Sequence, residues 1–362
     1  MLDAVADGRA EVLDEHRVGG PVVSAVRVAV ASLGGTITMT SSRDDGQGVV
    51  PSLGAADLLR SVPALAQVEV EATTLATVPG ASLGVDDLAG VLRWARDAVD
   101  AGAAGAVVVQ GTDTIEETAY LLDLYWDRDE PLVVTGAMRA AQAPGADGPA
   151  NLSAAVLTAA GATSRARGVL VVMADAVHAA VRVRKTRSSG PDVFRSPSSG
   201  PLGHVEEGST FFTGPPSRDA PLAAGLPGAL GRVPVLETYL GDEGELLRLV
   251  DGAGWDGVVV GGFGVGHVSA GLASVVEDVA ARRPVVVASR TGSGPTYTST
   301  YGFVGSEADL LRRGAVLAGW LDPRKARTLL ACLAGAGATT AEVAEEFRRR
   351  GGRVQVSAVV RG

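Results

Sequence analysis

The chain is poor in the residues that build cross-links and metal sites. Of its 362 residues, one is cysteine, Cys332, and four are histidine. A lone thiol excludes an intrachain disulfide and a cysteine-pair zinc site, a usage that fits a reducing compartment. His16, His178, His204 and His267 are scattered without the i, i+4 pairing of a helical metal site, so neither a catalytic metal nor another cofactor is expected. No apolar run reaches the roughly 18 residues that cross a bilayer, and residues 1–24 lack the basic start, apolar stretch and cleavage site of an export signal. These absences predict a cytoplasmic protein that engages no membrane. Basic clusters are missing too. The net charge is −9, and no Lys/Arg run is long enough to follow a phosphate backbone, so nucleic acid is not an expected partner.

Lysine is the most informative shortage. Only Lys185 and Lys325 occur among 32 basic residues, and arginine supplies the rest. Both types serve as surface charges, but only lysine, with a free pKa of about 10.4, can be made neutral by burial and act as a base. A chain that uses arginine almost everywhere draws attention to the places where it does not. Two survivors can also arise by chance, so their neighbours must decide.

What is present is apolar mass: 46% of residues are hydrophobic and 20% charged, enough at this length for about two domains. Short β-branched runs predict strands at 26–31, 68–76, 106–110, 132–135, 169–173, 233–237, 257–260 and 285–288. Helical patterns fall at 54–62, 86–100, 116–126, 149–161, 244–253, 270–282, 306–313 and 324–335. Their alternation predicts an α/β fold with largely parallel, buried strands. The segment 208–232 is rich in Gly and Pro and has no period, so it reads as a linker. It divides the chain into an extension 1–24, a domain 25–207 and a domain 233–362, each domain long enough for its own core.

In open α/β sheets, ligands bind beyond the carboxyl ends of the strands. The first predicted strand runs into Ser32-Leu33-Gly34-Gly35-Thr36-Ile37-Thr38, where paired glycines allow a tight turn beside a hydroxyl. Thr36 is a candidate nucleophile there, or a residue that merely caps the next element. The third runs into Gln110-Gly111-Thr112-Asp113-Thr114-Ile115-Glu116-Glu117. Thr114-x-x-Glu117 fits a capping box, which leaves Thr112 and Asp113 unexplained. A hydroxyl and a carboxylate at a helix N-terminus can bind a substrate ammonium and position a water or base. Lys185 lies in a loop that already carries Arg182, Arg184 and Arg187, so charge alone does not require it. Beside Asp113 it could exchange a proton with Thr112, a relay with an amine in the place of histidine.

Two other motifs compete. Gly80-Ala81-Ser82-Leu83-Gly84 fits the G-x-S-x-G nucleophile elbow between a strand and a helix. The run Gly261-Gly262-Phe263-Gly264-Val265-Gly266-His267 lacks the spacing and the lysine of a phosphate loop, so a nucleotide is not expected.

Taken together, Gly34-Gly35-Thr36-Ile37, Gln110 to Ala119, Thr135-Gly136-Ala137-Met138-Arg139, Ala146 to Leu152, Lys185-Thr186, Tyr301-Gly302-Phe303 and Lys325-Ala326-Arg327 resemble the bacterial-type L-asparaginase/glutaminase family. The resemblance implies a larger N-terminal α/β domain, a smaller flavodoxin-like C-terminal α/β domain, and a homotetramer or homodimer whose active sites form between paired subunits. By motif, Thr36 matches the nucleophile, and Thr112, Asp113 and Lys185 match the second catalytic group. Gly80, Ala81, Ser82, Asp113, Ala137 and His267 fall where substrate is bound. The implied reaction is hydrolysis of L-asparagine to L-aspartate and ammonia through an acyl-enzyme, without metal or cofactor.

Four positions depart from the pattern. Residues 37–60 hold no tyrosine, where the family's lid after the first threonine usually has one, although Ser41 to Gly48 suits a flexible loop. Gly80-Ala81 replaces a Ser-Gln pair that clamps the substrate carboxylate, with Ser82 the nearest hydroxyl. Gln110 stands where histidine is common, and His267 where many members place an asparagine from the neighbouring subunit. The resemblance makes all four places substrate-facing, so these departures bear on which amide is preferred more than on amide hydrolysis. The alternatives are a glutaminase or hydrolase of another small amide, a serine hydrolase built on Ser82, and an amino-acid-binding sensor without turnover.

Overall fold

The β-branched runs form the centres of two sheets in the computed structural model, which describes residues 25–41, 49–51, 54, 57, 62, 68–223 and 225–352. The extension 1–24, the lid segment 42–48 and most of the helix expected at 54–62 lie outside the described residues. Strand β1 (Val26–Ser32) is followed by a small antiparallel pair, β2 (Met39–Ser41) and β3 (Val49–Pro51). In the large sheet β1 lies between β4 (Val68–Thr74) and β5 (Gly105–Val109), and β6 (Leu132–Thr135) and β7 (Val169–Met173) follow, all parallel.

Every residue of β5, β6 and β7 is buried, because helices cover both faces. Successive side chains point to opposite faces. Ala106, Val108, Val134 and Val171 meet α1 (Val85–Asp100) and α2 (Ile115–Tyr125), while Val107, Val109, Val133 and Val172 meet α3 (Gly148–Ala160).

Three antiparallel strands extend this sheet beyond the parallel expectation: β8 (Ala176–Ala179), β11 (Gly203–Glu206) and β12 (Ser209–Phe212), in the order β12-β11-β8-β7. Each is only four residues long, and β11 alternates buried and exposed positions, so none shows the apolar run of a buried strand. β12 also falls within the expected linker, and the described residues between 213 and 234, which join the two sheets, form no helix or strand. Between β8 and β11 in the chain, β9 (Arg184–Lys185) and β10 (Phe194–Arg195) pair over two residues each as a separate antiparallel hairpin.

The smaller sheet is parallel and in chain order: β13 (Val235–Glu237), β14 (Val258–Gly262), β15 (Val285–Ser289) and β16 (Val316–Leu317). Helices α4 (Glu245–Gly252) and α5 (Ala270–Ala280) pack on one face, and α6 (Glu307–Arg312) precedes β16. On the other face lie α7 (Pro323–Gly335) and α8 (Thr340–Arg350). Helix α8 is absent from the sequence pattern, because it buries little apolar surface, chiefly Val343 and Phe347; a capping box between Thr339 and Glu342 starts it. Tyr120, Leu121 and Leu124 of α2 share one core with Ala326, Leu329 and Leu330 of α7, so apolar packing is continuous across the two sheets.

His178 on β8 is buried, with Nδ1 3.0 Å from Ser196 Oγ. Burial, reinforced by His204 and Arg195, lowers its pKa to about 4. The unfolded chain therefore takes up a proton below the ordinary value of about 6.5, which the folded chain refuses until about pH 4. Stability contributed by the neutral imidazole is complete above this window and falls as pH drops through it, by about 3 kcal/mol in total. Urea midpoints measured from pH 7 to pH 4 should decline accordingly, and His178→Gln should remove this component of the slope.

Candidate active site

The parallel strands run β4-β1-β5-β6-β7, so the winding reverses at β1, the position where open α/β sheets bind ligands. At that edge Leu33 N–H donates to Val109 O at 2.8 Å and Val78 N–H to Leu33 O at 3.0 Å. Beyond these bonds three backbones touch. A Cβ on Gly35, which has φ +87°, would lie 2.2 Å from Gly111 N, and one on Gly80 would lie 2.7 Å from Gly111 O. A Cβ on Gly111 would lie 2.6 Å from Gly80 N. Only glycine fits at all three positions. Thr36 and Thr112 each follow one of these contacts directly, which brings the two threonine motifs to one corner of the sheet. Thr36 is no cap, because it lies inside the turn Thr36–Thr38, with Gly35 before it.

Lys185 reaches this corner from the β9–β10 hairpin. Its Nζ donates to Thr112 Oγ1 at 2.9 Å and to Asp113 Oδ1 at 2.8 Å. The Asp113 side chain is 67% exposed and that of Lys185 only 17%. A pair so open to water contributes about 0–1 kcal/mol, so it matters for where it holds the amine and the Thr112 hydroxyl. The Lys185 backbone N–H donates to buried Glu116, whose other oxygen pairs with Arg324 Nη1 at 3.1 Å. Neither contact is visible in the motif, since the first depends on the hairpin lying against α2 and the second on α7 lying against α2.

Two local expectations are corrected. Thr114 makes no cap bond to α2, and its hydroxyl instead donates to Gly80 O at 2.9 Å, tying the second and third strand ends together. Gln110 does not open onto the surface of the site. It is fully buried behind the motif, and its amide donates to Gly111 O, Thr114 Oγ1 and Thr118 Oγ1, each at 3.3 Å.

The remaining candidates fall into two places. Ala137 is fully buried, and the preceding Gly136 lies beside the second threonine motif, where an added Cβ would lie 3.3 Å from Thr112 Cγ2. Asp147 holds this loop by accepting from Met138 and Arg139 N–H at 2.9 Å, and Asn151 Nδ2 donates to Gly136 O at 3.0 Å. Gly80, Ala81 and Ser82 form a single turn beside Gly111, with Ala81 and Ser82 exposed. The elbow chemistry finds no support. Of the buried or half-buried histidines, His178 faces Ser196 and His267 faces Glu307, each at 3.0 Å. His267 belongs to a cluster of the second domain, edge-on to Tyr301 and Phe303 at 4.9 Å. The glycines around it form a tight reversal, in which Phe263 N–H donates to His267 O. Among the described residues, no group of three or more His, Cys, Asp or Glu is arranged to hold a metal.

Residues 27–218 match the asparaginase N-terminal domain, and residues 232–347 match the glutaminase/asparaginase C-terminal domain. L-asparaginase 2 of Escherichia coli K12 is 32% identical over 86% of this chain and 89% of its own length. A probable periplasmic L-asparaginase of Haemophilus influenzae is 34% identical over 84% of this chain and 87% of its own. The fold superposes on a crystal structure of a probable cytoplasmic L-asparaginase from Campylobacter jejuni with a TM-score of 0.80 and 28% identity, covering 89% of this chain and 99% of that one. With both domains matched in order and the threonine motifs meeting at the switch point of the large sheet, the chain belongs to the asparaginase family of amidohydrolases.

Proposed function

We propose that the protein hydrolyses L-asparagine to L-aspartate and ammonia, with Thr36 as nucleophile and Thr112, Lys185 and Asp113 as the proton-handling group. The observation that carries this reading is the bond from Lys185 Nζ to Thr112 Oγ1 at 2.9 Å, one residue from the backbone contact of Gly35 with Gly111. In the first half-reaction the Thr36 oxygen adds to the side-chain amide carbon, and its proton leaves with ammonia. In the second, water adds to the acyl ester, the C–O bond breaks, and Thr36 regains a proton. A hydroxyl is a weak nucleophile until a base accepts its proton, and a lysine whose proton can move through Thr112 supplies that function. Exposed Asp113 is free on one side to hold the substrate ammonium. No metal or cofactor enters this reading.

The absence of tyrosine from residues 37–60 favours a second reading, in which another small amide such as glutamine is preferred or an amino acid is bound without turnover. We further propose pairing of identical chains as a homodimer or homotetramer. Tyr301, Phe303 and Val304 are about half exposed around His267, an apolar surface that a second copy would cover while bringing His267 towards its site. A cytoplasmic location agrees with the description of the C. jejuni neighbour, whereas the H. influenzae relative is described as periplasmic. The two separate sheets support a division into domains 25–207 and 233–362, although β12 of the first sheet falls at 209–212, inside the segment 208–232 read as the linker.

Lys185→Arg keeps the charge but loses the base, so kcat for ammonia release from L-asparagine should fall by about 100-fold or more. Thr36→Ala should abolish release and Ser82→Ala should retain it; the reverse pattern would transfer the chemistry to Ser82. Across L-Asn, D-Asn, L-Gln and amides without an α-amino group, L-Asn should be turned over fastest and the deaminated amides most slowly. Calorimetric binding of asparagine with no ammonia released would establish the sensor instead.

A further inference from the structure

The second lysine is buried deeper than the first. Lys325 on α7 is 0% exposed, its Nζ donating to Val183 O and lying 3.3 Å from Asp322 Oδ2. Val183 stands two residues before Lys185. Asp322 caps α7 by accepting from the N–H groups of Arg324 and Lys325, and it also lies 3.9 Å from Arg184 Nε. Arg184 Nη1 in turn donates to Gly292 O at 2.6 Å, after β15. Burial alone would raise the Asp322 carboxyl, but Lys325, Arg184 and the helix N–H groups outweigh it and leave it below the ordinary value.

Val183, Arg184 and Lys185 are therefore held one after another by separate polar groups, and the holders of the first two come from the second domain. The hairpin that carries Lys185 pairs over only two residues per strand, too short a ladder to set its own position. A buried amine without its acceptor, or a buried carbonyl without its donor, would carry a desolvation cost, so the pairing of Lys325 with Val183 O resists displacement.

We propose that Lys325 is a positioning residue for the reaction: by gripping Val183 O from α7, it sets the reach of Lys185 Nζ to Thr112 and Asp113, so that the second domain controls the amine of the first. The inference rests on the proton-handling role proposed above for Lys185. It also explains why arginine is absent at both lysine positions, since 185 needs a base and 325 needs a narrow donor in a closed slot.

The test uses Lys325→Met, nearly isosteric and without a donor, assayed by ammonia release from L-asparagine at a temperature where circular dichroism shows it folded. Misplacing the amine should lower kcat by about tenfold or more and leave KM within about twofold, because the loss lies in the chemical step. Combined with Lys185→Met, it should cost nothing further, since there is then no amine to position. Wild-type kcat in folded Lys325→Met, or losses that multiply in the double variant, would overturn the proposal. If Lys325→Met does not fold, Asp322→Asn keeps the helix cap but removes the carboxylate. It should reduce kcat by about threefold or more at constant KM, and unchanged kcat there would overturn the proposal equally. Full activity of Lys185→Met overturns the catalytic reading and this inference together. Full activity of Lys325→Met beside an inactive Lys185→Met overturns this inference alone.

Discussion

The site depends on three pieces of backbone meeting where side chains are excluded. Gly35, Gly80 and Gly111 lie in the loops that follow three neighbouring strands, and a Cβ on any of them would fall within 2.7 Å of backbone atoms of another. Such atoms cannot yield as a flexible side-chain tip could. Because the contact is between main chains, it sets the distance between the adjoining motifs more tightly than side-chain packing would. Thr36 and Thr112 are then placed by the length of one residue each, and the Thr114 bond to Gly80 O closes the third side.

The rest of the molecule can be understood as holding one long cationic side chain against that rigid corner. Lys185 comes from a short hairpin outside the large sheet, and its ion pair with exposed Asp113 is too open to water to hold the hairpin by itself. The anchoring falls to buried polar contacts further back. Glu116 takes the Lys185 N–H, Lys325 takes Val183 O, and Arg184 reaches Gly292 O. Two of these contacts cross to the second domain, and a continuous apolar core between α2 and α7 keeps that domain in place. The smaller domain thus holds the hairpin that carries Lys185 as well as presenting its own aromatic surface.

The legible parts of the fold are those whose burial is complete. The parallel strands β5, β6 and β7 are apolar at every residue but the terminal threonine of β6, and read directly as strands. The antiparallel extension is not legible, since its strands are four residues long and two of them alternate in exposure, which leaves little apolar signal. Helix α8 escapes detection for a related reason, as charge covers most of its surface. At the site, Thr112, Asp113 and Lys185 stand out because caps and surface charge leave them unexplained, and Thr36 because paired glycines set it beside bare backbone at a strand end. Gln110, expected on the substrate side, is instead buried, because a residue next to a motif gives no sign of which face its side chain takes.

The sequence by itself determined the residue types the chemistry needs, the glycines that let backbones touch, and the choice of lysine over arginine at 185 and 325. Local rules account for these: what a glycine permits, what a hydroxyl lacks, and which cation can lose a proton. Tertiary structure decided the partners. Glu116 and Lys185 are 69 residues apart and Lys325 and Val183 are 142 apart, and only the packing of α2, the hairpin and α7 makes them neighbours. A hydrogen bond depends on distance and direction in space, and separation along the chain constrains neither until the core has formed.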